Sequence, residues 1–292
     1  MKKEEYTIGY LINKGSRILE SASVENHQGE ARFLMSFCTR KSIATLYACL
    51  MDELDEVTRM RYMNLIKKRT THYPLQYLLG YTYFMDWKFI CEEKVLIPRA
   101  DTENLVFCAL GMVSPNDKKV LDLCTGSGCI GISFQLSRKR KGLSDEVVLA
   151  DISDDALRLA QKNADKLGAD VEIVKSDLFS AFEDEDGNPA RKFDVIMSNP
   201  PYIPTNDIKL LIKDVRDYEP RLALDGSKDG LLFYRKIIAR AKDFLTEGGM
   251  LFLEIGYDQY MDVFDILRAN GFKDIRKEKD ASNLDRVVAA TL

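Results

Sequence analysis

Phe193-Asp194-Val195-Ile196-Met197-Ser198-Asn199-Pro200-Pro201-Tyr202 opens as a mostly apolar run and stops abruptly. A run of that length bounded by turn residues predicts a strand of a parallel sheet, buried on both faces. Asn-Pro-Pro sets its end, because a residue before proline is driven extended and neither proline offers an N–H. The strand end therefore presents acceptors, the Asn199 side-chain oxygen and the Pro200 carbonyl, with no donor besides the Asn199 amide. Tyr202 is expected to stand beside them as an aromatic wall. Such a pair of acceptors suits a planar amino group with two N–H bonds; the plainer alternative is that Asn-Pro-Pro is only a turn.

Outward from this strand the pattern alternates. Strands are expected at Lys119–Cys124, Val147–Ile152, Val171–Lys175, Phe193–Ser198, Met250–Ile255, Phe272–Lys277 and Arg286–Thr291. Helices fit around Gly128–Ser137, Asp154–Leu167, Gly230–Phe244 and Asp258–Asn270. Strand and helix in turn make an α/β fold with a doubly wound sheet. Glu183-Asp-Glu-Asp-Gly-Asn-Pro189 reads as an exposed acidic loop. Upstream, Tyr81–Phe84, Trp87–Ile90 and Val95–Arg99 read as short β segments, the first two joined by a Met85-Asp86 turn. Asp101 or Thr102 is placed to cap a following helix through Leu105, Val106 and Leu110, with Glu103 in its first turn. Residues 1 to about 75 carry helical spacing throughout, as in Ile8, Leu11, Ile12, Ile18 and Leu19.

The first strand of the alternating region runs into Asp122-Leu-Cys124-Thr125-Gly126-Ser127-Gly128-Cys-Ile-Gly131. Its glycines let backbone turn tightly and approach a ligand without an intervening Cβ. The same letters spell G-x-G-x-x-G, and Asp151 falls 20 positions past Gly131 at the end of the second strand. That spacing suits ribose hydroxyls, so a dinucleotide-binding dehydrogenase is a fair rival. Asp122 and Asp177 tilt the balance, since three carboxylates at successive strand ends favour a cationic, phosphate-free ligand over a pyrophosphate.

Composition bounds the rest. The chain has 292 residues, 46% hydrophobic and 30% charged, with a net charge of −4. That describes an ordinary soluble protein with no overall pull toward nucleic acid. No run reaches the ~18 apolar residues of a membrane span, and Met-Lys-Lys-Glu-Glu lacks a signal-peptide core. Through residue 80 there are 12 basic against 9 acidic side chains, a modest excess expected on solvated helix faces or at a partner-docking surface. The six cysteines show no C-x-x-C spacing, so no metal site is expected, and reduced thiols in a cytoplasmic protein are the better account.

Nearly the whole length resembles the protein-(glutamine-N5) methyltransferases of the HemK/PrmC family, which modify peptide chain release factors. The likeness runs through Pro74-Leu-Gln-Tyr-Leu-Leu-Gly80, Val95-Leu-Ile-Pro-Arg99 with Thr102-Glu103, and Asp122 to Gly128. It continues in Ala150-Asp-Ile-Ser, Ser176-Asp-Leu-Phe, Asn199-Pro-Pro-Tyr202, Glu219-Pro, Ala223-Leu, Asp229-Gly-Leu and Leu253-Glu-Ile-Gly256. Three departures stand out: Cys124 where the loop usually begins with glycine, Ala100 where proline is usual, and no glycine before the arginine of Ala281–Val288.

The resemblance implies a Rossmann-like class I methyltransferase domain with a mostly parallel seven-stranded sheet over 101–292. It adds a small helical domain over 1–75 for substrate recognition and a β-hairpin linker over 76–100. It implies S-adenosyl-L-methionine as cofactor, with Asp151 on the ribose, Cys124 to Gly128 (Thr125, Gly126 and Ser127 included) along the methionine, and Asp177 and Leu178 by the adenine. Asp122 would lie in the loop's floor. Asn199, Pro200, Pro201 and Tyr202, with Arg99 and Glu103, would take the glutamine of a Gly-Gly-Gln loop. Catalysis would rest on Asn199, Pro200 and Tyr202. The expected partner is a release factor bound by a monomer, without nucleic acid or membrane. An N6-adenine DNA methyltransferase, which flips its base, or a methyltransferase of ribosomal-protein glutamine are the alternatives.

Overall fold

Successive residues of each central strand point to opposite faces, and here both faces are apolar. In the computed structural model, which describes residues 4–292, Leu121, Leu123, Val148, Ala150, Ile196, Leu251 and Leu253 join one core. Val120, Val147, Leu149, Val195, Met197 and Phe252, interleaved with them, join a second. A sheet with two apolar faces must be covered twice, which is why helices flank it on both sides. Met1, Lys2 and Lys3, the start of the expected helical segment, lie outside the described residues.

The chain divides into two compact units, Met1–Gly80 with Ile212–Tyr218, and Tyr81–Leu211 with Glu219–Leu292. In the first, α1 (Ile8–Ser21), α2 (His27–Thr39), α3 (Ile43–Ala48), α4 (Glu56–Arg69) and α5 (Leu75–Leu79) enclose Leu11, Leu34, Met35, Tyr62 and Ile66. Thr7, Ser42 and Asp55 cap three of these helices, each accepting a backbone N–H from the first turn. Gly15 lets α1 approach α4: a Cβ there would fall 2.2 Å from the Tyr62 hydroxyl. Arg69, only 4% exposed, lies between Glu30 at 2.5 Å and Asp214 at 2.7 Å. Asp214 belongs to a later short helix, and Tyr218 of the same helix donates to the Thr71 carbonyl at 2.8 Å.

The second unit begins with the hairpin β1 (Tyr81–Phe84) and β2 (Trp87–Ile90), turning at Met85-Asp86 as expected. It continues α6 (Glu103–Met112), β3 (Lys119–Leu123), α7 (Cys129–Lys139), β4 (Glu146–Asp151), α8 (Asp154–Leu167), β5 (Val171–Lys175) and β6 (Phe193–Ser198). The short helix of the first unit is α9 (Lys213–Tyr218), and α10 (Leu232–Phe244), β7 (Leu245–Glu254), α11 (Tyr260–Ala269), β8 (Lys273–Lys279) and β9 (Asp285–Thr291) complete the chain. The seven strands run in the order β5-β4-β3-β6-β7-β9-β8. All are parallel except β9, which is antiparallel to both neighbours. Helices α10 and α11 cover the first core; α6, α7 and α8 with the hairpin cover the second.

Two expectations are corrected. Val95–Arg99 forms no strand: Pro98 cannot donate to a ladder, and the segment instead lines a cavity. Thr102 precedes α6 without capping it, its hydroxyl being engaged elsewhere. Two of the departures have a backbone account. Cys124 adopts φ +57°, the left-handed region that glycine would take without strain. In the turn between β8 and β9, Asn283 at φ +63° fills the glycine's role, a conformation asparagine tolerates.

Candidate functional site

Order reverses between β3 and β6. From β3 the chain steps to β4 and β5 on one side, then returns to place β6 and β7 on the other. Ligands of open α/β sheets settle at the carboxyl ends of strands around such a point. A cavity of about 320 Å³ lies there.

Arg99, Cys124, Thr125, Gly126, Ser127, Asp151, Asp177, Leu178, Asn199 and Pro201 line this cavity, so ten of the expected site residues meet in one place. Four of the glycine loop's amides are already used. Thr125 N donates to Ala150 O at 3.1 Å and Gly128 N to Thr125 O at 2.9 Å. Gly126 N donates to Asp151 Oδ2 and Gly131 N to Asp122 Oδ2, each at 2.9 Å. A pyrophosphate cradle needs such N–H groups free. Their engagement speaks against a dinucleotide and fits a ligand that brings hydroxyls and an amino group to carboxylates.

Asp151 also accepts from Ser153 N at 2.9 Å, and burial raises its pKa against the pull of those backbone donors. An ionised carboxylate has about four lone-pair sites, so about two remain for the cavity. Asp122 lies in the loop's floor, as its sequence position implied, but it does not face the ligand space. It is fully buried beneath the loop, does not line the cavity, and holds the Thr125 hydroxyl at 2.6 Å as well as Gly131. Burial pushes it up to about 7. Its task is to shape the loop, because a strand-end residue followed by a tight turn lies under that turn. Gly128 likewise stays behind the loop: at φ +82° its missing Cβ would sit 2.7 Å from Ile132. A buried asparagine from α8 ties hairpin to loop, Asn163 accepting from Ile90 N at 2.7 Å and donating to Ser127 O at 3.0 Å.

At the end of β6, Asn199 Nδ2 donates to Thr102 Oγ1 at 3.2 Å. Its Oδ1 takes no hydrogen bond from the described residues. The following segment is clamped. Gly226 and Gly230 approach Tyr202 so closely that Cβ atoms would come within 2.8 and 2.3 Å of its backbone, and Gln259 Nε2 donates to Tyr202 O at 2.9 Å. Pro200 and Tyr202 do not line the cavity. Tyr202 packs into the core beside α10, and its hydroxyl donates to Glu254 Oε1 at 3.2 Å. The expected aromatic wall is therefore an anchor, since the second proline turns the chain back onto the sheet. Glu103 also leaves the site: it accepts from Met85 N at 2.7 Å and holds the hairpin turn. Arg99 stays at the cavity but is paired with buried Glu219.

Sequence reasoning passed over Thr102, Phe233 and Lys236 on the wall, and Glu254 behind it. Thr102 and Glu254 both stand inside stretches that carry the family likeness, and Glu254 is besides a lone carboxylate closing the apolar run Met250–Leu253.

The family profile described as the PrmC N-terminal domain matches residues 11–80, and that of the methyltransferase small domain matches 104–215. A release factor glutamine methyltransferase of Clostridium acetobutylicum is 38% identical over 280 residues, 95% of each chain. One from Geobacter sulfurreducens is 37% identical over 288 residues, 99% of this chain and 95% of that one. A Thermus thermophilus 16S rRNA N2 G1207 methyltransferase, solved with AdoMet and guanosine, shares the fold at TM-score 0.50 and 17% identity. It covers 72% of this chain and 49% of that chain.

Proposed function

This chain belongs to the release factor glutamine methyltransferase family, and from that premise we propose its reaction in residue terms. The protein is an enzyme that transfers the methyl group of S-adenosyl-L-methionine to the side-chain amide nitrogen of the glutamine in the Gly-Gly-Gln motif of release factors. What carries this reading is that one cavity joins Asp151, at the end of β4, to the unpaired oxygen of Asn199, at the end of β6.

The cofactor, when bound, supplies a methyl on a sulfonium. Asp151 would hold its ribose, Asp177 and Leu178 would border the adenine, and Cys124 to Ser127 would flank the methionine. A glutamine amide nitrogen is a poor nucleophile, because its lone pair is delocalised into the carbonyl. Asn199 Oδ1 accepts one N–H bond at the cavity wall, and the Pro200 carbonyl, next in the chain but off that wall, would accept the second from a seated glutamine. Together they favour a pyramidal nitrogen whose lone pair is aimed at the methyl. The contact strengthens as positive charge grows on nitrogen, so it lowers the barrier as well as aiding binding. Clamping of Tyr202 by Gly226, Gly230 and Gln259 keeps these acceptors fixed during the reaction. No strong base is needed, since the product cation is acidic.

The helical N-terminal unit is assigned recognition of the folded release factor. The enzyme is assigned to the cytoplasm as a monomer, and its net charge of −4 favours a protein substrate over nucleic acid. Incubation with release factors and isotope-labelled S-adenosyl-L-methionine, followed by mass spectrometry of tryptic peptides, should place one methyl on the Gly-Gly-Gln glutamine. Labelling confined to another residue would refute the assignment.

A further inference from the structure

An asparagine carboxamide has nearly the same shape with its oxygen and nitrogen exchanged, but the two orientations do opposite chemistry. Oxygen toward the cavity accepts the substrate's N–H; nitrogen toward the cavity would oppose donor to donor. Something must choose between them. The choice falls to the group on the far side of the amide, the Thr102 hydroxyl, which Asn199 Nδ2 meets at 3.2 Å.

A threonine hydroxyl alone cannot choose, because it donates as readily as it accepts. Its proton has to be claimed elsewhere. Glu254 makes that claim. It closes β7, beside β6, and is only 2% exposed. The Tyr202 hydroxyl donates to Glu254 Oε1 at 3.2 Å, while Oε2 is buried with no hydrogen-bond partner among the described residues, close to the Thr102 hydroxyl, which favours the charged form of Glu254. An ionised carboxylate can only accept, so its unpartnered Oε2 draws the Thr102 proton to that side and leaves a hydroxyl lone pair for Asn199. This explains why Thr102, placed to cap α6, makes no capping bond.

We propose that Thr102 and Glu254 are positioning residues that fix the Asn199 carboxamide with its oxygen toward the substrate amide. The inference rests on the acceptor role assigned to Asn199 above. The surroundings of Glu254 serve the same end. Burial pushes it up to about 7, while Thr102, Arg286 and Tyr202 favour its charged form. Arg286 on β9 is itself held by Asp280 at 3.0 Å and Asp101 at 3.5 Å. Tyr234 from α10 donates to the Glu254 backbone carbonyl at 2.9 Å, and the Cys129 thiol of α7, held neutral by burial, completes the titratable neighbours.

The test is steady-state methylation of a release factor at about pH 8.5, above the value to which Glu254 is pushed, so that the carboxylate is ionised. Thr102→Val keeps the shape and removes the hydroxyl. It should lower kcat about tenfold, the worth of one hydrogen bond, and leave S-adenosyl-L-methionine affinity within about twofold. Thr102→Ser should restore most of the loss. Glu254→Gln, whose amide can donate to Thr102 and reverse its polarity, should lower kcat about as much as Thr102→Val. In an Asn199→Ala background, Thr102→Val should cost nothing further, because its route to the reaction runs through Asn199. An equal loss in both backgrounds would overturn the proposal, as would a fully active Thr102→Val beside an impaired Asn199→Ala, which leaves the acceptor role intact. Full activity of Asn199→Ala would remove the acceptor role and the positioning with it.

Discussion

Asp151→Ala is the perturbation that bears most directly on the cofactor site. The carboxylate receives Gly126 N and Ser153 N, each at 2.9 Å, one on each oxygen. About two lone-pair sites remain for a vicinal pair of ribose hydroxyls. Hydrogen bonds to a charged group contribute ~1.5–3 kcal/mol each, so losing both would cost ~3–6 kcal/mol if nothing replaced them. Water entering the space recovers part of that, and a net weakening of ~1.5–3 kcal/mol is expected, a rise in Kd of roughly 10- to 150-fold. Asp151→Asn should lose nearly as much. One end of its amide is a donor, and it would face one of the two backbone N–H groups. Titration calorimetry with S-adenosyl-L-methionine and with S-adenosylhomocysteine measures this directly. The two ligands share the ribose and differ in the sulfonium charge, so both affinities should fall together. A fall for the cation alone would mean that Asp151 acts through charge, and unchanged affinity for both would take it out of the site.

Four further outcomes follow from the same geometry. Single-turnover methylation should rank wild type above Asn199→Asp above Asn199→Ala, with alanine ~10²–10³ slower, and alanine at wild-type speed would reduce Asn-Pro-Pro-Tyr to a turn. Asp122, raised to about 7 by burial, costs stability that is absent below its unfolded pKa and grows as pH rises through the folded value, so Asp122→Asn should gain melting temperature relative to wild type from about pH 5 to pH 8. A difference that is flat with pH would refute this. Arg138, 3% exposed and bidentate on Asp145 at 2.6 and 3.0 Å, leaves a buried unpaired carboxylate when changed to Ala; urea unfolding should show a loss of ~3–5 kcal/mol. Removing residues 1–80 should spare cofactor binding and abolish release-factor methylation, and full activity of a folded truncated protein would make those helices merely structural.

Local chemistry written in the chain determined a large part of this protein. Apolar runs placed the strands Lys119–Leu123, Val171–Lys175 and Phe193–Ser198 within a residue of their ends. The first and third were legible because their interiors are buried on both faces, and the edge strand Val171–Lys175 because β-branched Val171, Ile173 and Val174 mark it despite the exposed Glu172 and Lys175. The Met85-Asp86 turn, the glycine loop and the proline stop after Asn199 were legible for a similar reason: each is a backbone constraint carried by its own residues. Tertiary structure alone decided which partner a polar side chain takes. Thr102 reads as a helix cap, yet its hydroxyl serves Asn199, 97 residues away in sequence. Tyr202 reads as a wall, yet it is drawn to Glu254, 52 residues on. Asp122 reads as a ligand-facing acid, yet the loop folds over it. Residues 212–218, embedded in the second half of the chain, complete the N-terminal unit through Asp214 and Arg69. Periodicity reports how deeply a residue is buried and on which face. It carries no information about which distant donor or acceptor will meet it, because that pairing is set by the order in which strands assemble in the sheet.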